Sequence, residues 1–367
     1  MTATSCVVKY RGRWVRVTAT IATLLATLIA VSSCSSSGIP DDIDRSPNKN
    51  YRYTPRPSGL LWDSGVFGHD PKITGAFEKM RGHKLDVLGV SPTRGSWEEH
   101  LSDWWLTEKT IPAGFSGTLN ISVQLFPKDG TLEKAAQGAY NEDFKRLGAL
   151  IATKYPNAYV RPGWEFNIVN WPWKATPSNV GTFKTAFRQA STSLKSGGPD
   201  LRIVWNPNEG RGNSLPDATT AWPGDDVVDI VGIDAYDWSP PYDQKGWKEH
   251  RTRPQGWDYW GTFARTHGKK FALPEWGVIR GSEESGGDNP QYIHYAYGWM
   301  YANRDIMAFD TYFEEPDDYC KCALSINPEA QRAYMAWMPQ LTYHAPGSAT
   351  AATAALPAAL SPRREFL

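Results

Sequence analysis

"VVDIVGIDAY", residues 227–236, is rich in Val and Ile and apolar almost throughout. A strand with one wet face alternates apolar and polar residues, whereas a strand covered on both faces reads as a nearly continuous apolar run. Seven further short runs of this kind, bounded by Gly, Pro, Asn or Asp, lie along the chain. They are "LLWDSGVF" (60–67), "LDVLGV" (85–90), "LNISVQLF" (119–126), "AYVRP" (158–162), "LRIVWNP" (201–207), "KFALPEWG" (270–277) and "IMAFDTYFE" (306–314). Between most of them the spacing turns helical. "TLEKAAQGAYNEDFKRLGALIATKY" (131–155) sets Leu132, Ala135, Ala139, Phe144, Leu147 and Ile151 on one face of a helix. "SNVGTFKTAFRQASTSLKSGG" (178–198) opens on a cap at Ser178 and closes on a Gly pair. Eight strands alternating with helices predict a (β/α)8 barrel over residues 52–343, with its working groups where the strands run into the following loops. A doubly wound open sheet would carry a Gly-rich phosphate loop after its first strand, and "GVFGHD" is not one.

Composition bounds the partners. The 367 residues are 41% hydrophobic, as in a globular protein, and the 39 basic and 39 acidic side chains balance. A nucleic-acid binder needs a basic surface, so none is expected as a partner. Seventeen Trp supply rings that are apolar on the face and carry one donor, suited to half-wet surfaces. At the start, Lys9, Arg11, Arg13 and Arg16 precede an apolar run from Val17 to Val31 and then "VSSC". This predicts an export signal over 1–33. "VSSC" resembles a bacterial lipobox, which would make Cys34 a lipidated residue followed by a flexible tether over 34–51; plain secretion is the alternative. The protein is then expected outside the cell, held to the membrane through the lipid. Cys320 and Cys322, in "DDYCKCALS", are expected to pair in that oxidising setting. The Ala/Pro-rich stretch 344–367 is expected to be disordered.

The run "YVRPGWEFNIVNWPW" (159–173) surrounds one Glu with three Trp and two Asn. Glu165 follows the fourth predicted strand, and Glu275 ends the seventh. Three βα units apart, they would face each other across the barrel mouth. Glycosidic bond hydrolysis needs two carboxyls in this relation, one to protonate the leaving oxygen and one to attack or to activate water. Trp164 and Phe166 would raise the pKa of Glu165 as an acid requires, and Arg161 would keep Glu275 ionised if it points inward.

These runs together resemble glycoside hydrolase family 26 of clan A, mostly β-mannanases with some xylanases and mixed-linkage glucanases. "RPGWEFNIVNWPW", "IVWNPN", "VDIVGIDAYDW" and "FALPEWG" occur in the family's order, over a span from "GVFG" to "DTYFEE". The resemblance implies a retaining double displacement with Glu165 as acid/base and Glu275 as nucleophile. Tyr236 would hydrogen-bond Glu275, Arg161 would support it, and Asn167 would shape the loop below the sugar. Trp171 or Trp173 would stack on the sugar. The family's mannanases typically carry His where Trp164 stands, and Gly where Ile168 stands, which loosens the link to mannose more than the link to hydrolysis. β-1,4-Mannan is the first substrate expected, with β-xylan or mixed-linkage β-glucan as alternatives, or carbohydrate binding without catalysis.

Trp164, Trp238 and Trp276 are further candidate sugar-contacting rings, and His69, with Asp70, follows the first strand at the mouth. Trp97, Trp104 and Trp105 are either stacking platforms or loop packing, and Glu314 and Glu315 either bind hydroxyls or are solvated. The acidic "GSEESGGDNP" (281–290) lacks calcium-loop spacing, and the seven His show no metal motif. Neither metal nor cofactor is expected, and the protein is expected to be a monomer.

Overall fold

A computed structural model describes residues 38–345 except 93–94 and 318–319. The expected export signal, Cys34 and the tail beyond 345 lie outside the described residues. Eight parallel strands close into a barrel in chain order. They are β1 (Asp63–Phe67), β2 (Val87–Val90), β3 (Thr118–Val123), β4 (Tyr159–Pro162), β5 (Arg202–Trp205), β6 (Ile230–Tyr236), β7 (Lys270–Gly277) and β8 (Met307–Phe313). Each falls inside a run read as a strand from sequence, except that β3 starts one residue earlier, at Thr118. Around them lie α1 (Pro71–Arg81), α2 (Trp97–Leu101), α3 (Leu132–Ala136), α4 (Asn141–Ala152) and α5 (Val180–Gly197). The ring is completed by α6 (Gln244–Thr252), α7 (Trp257–Thr266), α8 (Pro290–Ala302) and α9 (Pro328–Leu341).

Two helical readings shift in detail. The stretch 131–155 is two helices, because Gly138 takes φ 81°, a left-handed conformation that ends α3. Leu132, Ala135, Phe144, Leu147 and Ile151 are buried as expected, while Ala139, in the break, is exposed. The following helix begins at Val180 with Asn179 rather than Ser178 at its N-cap, and Asn179 Oδ1 accepts from the Thr176 amide at 2.7 Å instead of from the helix.

Inside the barrel, Val87, Tyr159, Val204, Ile230, Ala272 and Phe309 form a closed apolar layer below the mouth. Alternation then carries Arg161, two residues past Tyr159, into the interior above that plug. Strand β7 departs from simple alternation. Ala272 pairs with Gly232 but Glu275 pairs with Asp234, so three steps on β7 match two on β6. The same mismatch recurs against β8 between Leu273 and Trp276. An extra residue of this kind re-aims the side chains beyond it. It turns Glu275 inward and Trp276 outward into the helical layer.

The stretch 38–51, read as part of a free tether, lies on the barrel instead. Ile39 and Ile43 are buried, and Ile43 packs over Gly298 of α8. Asn48 Nδ2 donates to the Ala302 carbonyl at 2.9 Å and to Asp305 Oδ1 at 2.7 Å, and Arg304 donates to the Ser46 carbonyl at 3.2 Å. Its turn-forming composition hid two isolated apolar anchors. Among the described residues no helix is long and apolar enough to cross a membrane. Truncating a buried Ile leaves a cavity as well as losing transfer energy, so Ile43→Ala is expected to lower unfolding stability by about 2 kcal/mol in urea denaturation. A free tether would leave it unchanged.

Candidate active site

Arg161 organises the mouth of the barrel. It is fully buried, and burying a cation is tolerable only with charged and hydrogen-bonding partners around it. Its Nη1 donates to Asn206 Oδ1 at 2.8 Å and to Asp234 Oδ2 at 3.0 Å. Its Nη2 donates to Ser122 Oγ and to Glu275 Oε1, both at 2.5 Å. One guanidinium therefore joins β3, β4, β6, β7 and the residue just past β5. Tyr236, at the end of β6, donates its hydroxyl to Glu275 Oε2 at 3.0 Å. Both Glu275 oxygens are thus held, one by a cation and one by a phenol. Burial, then the charge of Glu275, pushes the Tyr236 hydroxyl well above its ordinary pKa, so it remains a proton donor.

Glu165 lies just past β4 at φ 51°, a left-handed conformation that costs a non-glycine residue about 1–3 kcal/mol. Surrounding bonds hold it there: its amide donates to the Asn206 carbonyl at 2.7 Å. Trp171 Nε1 donates to Glu165 Oε2 at 2.7 Å, and Asn208 Nδ2 donates to the other oxygen. Burial first, then the charge of Glu275, raises the Glu165 pKa to about 7, against the opposing pull of Trp171, Arg161 and Asn208. Two carboxyls of one cavity therefore sit in contrasting surroundings.

That cavity, of about 370 Å³, is lined by Glu165, Glu275, Trp164, Trp171, Tyr236 and His69, with Phe67, Phe313, Ile279, Ser91, Ser122 and Cys320 completing the wall. His69 Nδ1 lies 2.6 Å from Glu315 Oε2. Asn167 is buried behind the wall, where its Oδ1 accepts from the Asn208 amide at 2.7 Å and its Nδ2 donates to the Asn208 carbonyl at 3.1 Å. It braces the residue that grips Glu165.

Three of the candidate rings are elsewhere. Trp173 is 1% exposed, stacked under Trp171 at 5.2 Å with its Nε1 donating to the Trp164 carbonyl, so it supports a platform and offers no face of its own. Trp276 is 0% exposed and donates to Asp310 Oδ2 at 3.0 Å in the helical layer. Trp238 is 43% exposed but does not line the cavity. Asp70 caps α1 by accepting from the Lys72 amide at 2.7 Å. Trp105 is buried and Trp97 packs edge-on against Phe144 at 4.8 Å, so that connection is loop packing. Glu314 is buried, not solvated, and accepts the Leu324 amide at 2.8 Å. Cys320 and Cys322 are bridged, with Cα atoms 5.2 Å apart. Among the described residues no group of three or more His, Cys, Asp or Glu could hold a metal.

Asn206, Asn208, Asp234, Ser122, Phe67 and Phe313 were not singled out from sequence. Two signals were available: the polar pair inside "IVWNPN", and Asp234, a charge in an apolar strand two residues before Tyr236 and hence on the same face.

No family model matches the chain. A stretch of 133 residues is 24% identical to a β-1,3-xylanase of Alcaligenes sp., covering 34% of this chain and 27% of the relative. The match thus spans about a quarter of the curated relative's length. Among solved structures, a modular endo-β-1,4-mannanase of Cellulomonas fimi, described as a glycoside hydrolase family 26 mannanase, superposes with a TM-score of 0.55 at 18% identity, over 75% of this chain and 71% of that one. The catalytic domain of a family 26 endo-β-1,4-mannanase from Bacillus sp. JAMB-750 gives 0.54 at 14% identity, over 76% and 86%. GH26C from Muricauda sp. gives 0.50 at 16% identity, over 70% and 79%. At these identities the likeness establishes the (β/α)8 fold.

The Trp171 bond favours the ionised form of Glu165, so its removal should favour the acid. Trp171→Phe is expected to move the Glu165 titration above about 7, followed by carboxyl carbon chemical shifts against pH. A downward shift would mean that the indole does not hold the carboxylate.

Proposed function

We propose that this chain is a retaining glycoside hydrolase of family 26 that cleaves a β-linked polysaccharide, with β-1,4-mannan as the first substrate to test. The observation that carries the reading is the pairing of Glu165, in surroundings that keep its proton to about pH 7, with Glu275, whose two oxygens are gripped by Arg161 and Tyr236 in the same cavity. An acid that keeps its proton near neutrality beside a second carboxyl bonded to a guanidinium and a phenol is what the two roles in glycoside hydrolysis require.

In this reading the Glu275 carboxylate attacks the anomeric carbon as the glycosidic C–O bond breaks, and Glu165 gives its proton to the departing oxygen. Water then attacks the anomeric carbon, Glu165 takes its proton, and the bond to Glu275 breaks, which releases the sugar and restores both carboxyls. Arg161 offsets the charge on Glu275 before attack and after release, and the Tyr236 hydroxyl orients it. Trp171 and Phe313 offer the sugar faces apolar contact along the cavity wall. The oligosaccharide or polysaccharide is the partner, and the signal-like start with "VSSC" adds export and membrane attachment through Cys34 to the proposal.

Hydrolysis of β-xylan is the second reading. It is favoured by Trp164, which fills the cavity wall where the resembling mannanases typically carry His, and by the stretch similar to a β-1,3-xylanase.

Purified protein should release reducing sugar from one of mannan, xylan or mixed-linkage glucan. Glu165→Ala should lower kcat by about 10²–10⁴-fold on substrates with poor leaving groups, and Glu275→Ala by at least as much. Proton NMR of the first product should show the β anomer, and α-product would replace retention with inversion. The rate should decline as pH rises through about 7, where Glu165 loses its proton. Hydrolysis that survives in both variants would sink the assignment, and sugar binding without hydrolysis in the wild type would leave a carbohydrate-binding protein.

A further inference from the structure

We propose that His69 and Glu315 form a sugar-reading dyad on the β8–β1 side of the cavity, in which Glu315 orients the imidazole and His69 Nε2 bonds a hydroxyl of the bound sugar. This deepens the hydrolase reading and names a specificity element of that same site.

The geometry comes from three elements. His69 follows β1, and its side chain is about half exposed where it lines the cavity. Its Nδ1 lies 2.6 Å from Glu315 Oε2, where a carboxylate accepts from Nδ1–H and so sets the tautomer. The Phe67 ring meets it edge-on at 5.6 Å and limits its rotation. Glu315 follows β8 and is itself anchored: its carbonyl accepts the Cys322 amide at 2.9 Å and the Ala323 amide at 3.0 Å. The bridged Cys320–Cys322 loop thus holds the backbone of the residue whose carboxyl meets the histidine.

With Nδ1 engaged, Nε2 is the atom left for a ligand. In the cation it donates; in the neutral ring it can only accept. The groups acting on the ring are Glu315 and Asp317 after β8 and Glu275 on β7, all acidic. Arg161, behind the Phe67 ring at 5.6 Å, is already engaged by Asp234 and Glu275. The hydrogen bond to Glu315, against the opposing effect of burial, raises the His69 pKa above its ordinary value. The donor form therefore persists to higher pH than in an isolated histidine and gives way to the acceptor form as pH rises through the shifted value. A hydroxyl can serve either form, but the charged donor makes the stronger bond.

His69→Ala should raise KM about tenfold or more with kcat changed by less than about threefold, the effect of losing one charge-assisted bond to bound sugar. Glu315→Gln keeps an acceptor for Nδ1 but removes the charge. It should keep most of the affinity at low pH and move the rise of KM to lower pH than in the wild type. An unchanged KM in His69→Ala, or a fall in kcat alone, would overturn the dyad, as would an unmoved KM profile in Glu315→Gln. Thermal unfolding of each variant separates these results from misfolding. Calorimetric binding of manno- and xylo-oligosaccharides by wild type and His69→Ala judges the dyad even if no glycan is hydrolysed. Equal affinities there would sink it, whereas absent hydrolysis with a tenfold affinity difference would sink only the catalytic reading.

Discussion

A cation with no access to water governs the top of this barrel. Arg161 reaches the interior because β4 alternates, and once there it must be neutralised. Asp234 and Glu275 share that task from β6 and β7, while Ser122 and Asn206 take hydrogen bonds from β3 and just past β5. Removing one member leaves a buried charge without its counterpart, a change that typically costs several kcal/mol. The arrangement therefore serves stability and the geometry of the candidate site together. The bonds that allow Arg161 to be buried also hold Glu275 in one orientation, with Tyr236 on its second oxygen.

Glu165 depends on that core at one remove. Its strained backbone is pinned by Asn206, whose side chain also accepts from Arg161. Its carboxyl is gripped by Trp171 and by Asn208, and Asn208 is braced in turn by Asn167. The residues around the two glutamates thus form one connected network that spans β3 to β7. Its two carboxyls differ because one has a guanidinium at bonding distance and the other has two neutral donors and a largely apolar wall.

The strands were legible because a strand covered on both faces leaves an apolar run with turn formers at each end. The two glutamates stood out because each lies at or just past the end of such a run among Trp residues. Side-chain direction was less so. Glu275 and Trp276 are neighbours in sequence, and a chain without an irregularity would send one in and one out by simple alternation from Ala272, with the tryptophan inward. The extra residue at β7 reverses that outcome, and its only trace in sequence is Pro274, which has no N–H for the ladder. Trp173 and Trp171 illustrate the same limit. Two rings two residues apart look equivalent as letters, yet one lines the cavity and the other lies beneath it.

The sequence by itself determined the barrel, its strand order and the positions of the two carboxyls at strand ends, since these follow from local pattern and from the direction of a βα unit. Tertiary structure decided which rings face the cavity, that Asn208 and Asp234 complete the site, and that Ile39 and Ile43 draw the leading stretch onto the helices. These outcomes depend on register and on partners distant in the chain. A hydrogen bond from β5 to a loop after β4, or a bulge measured against two neighbouring strands, exists only once the sheet has closed.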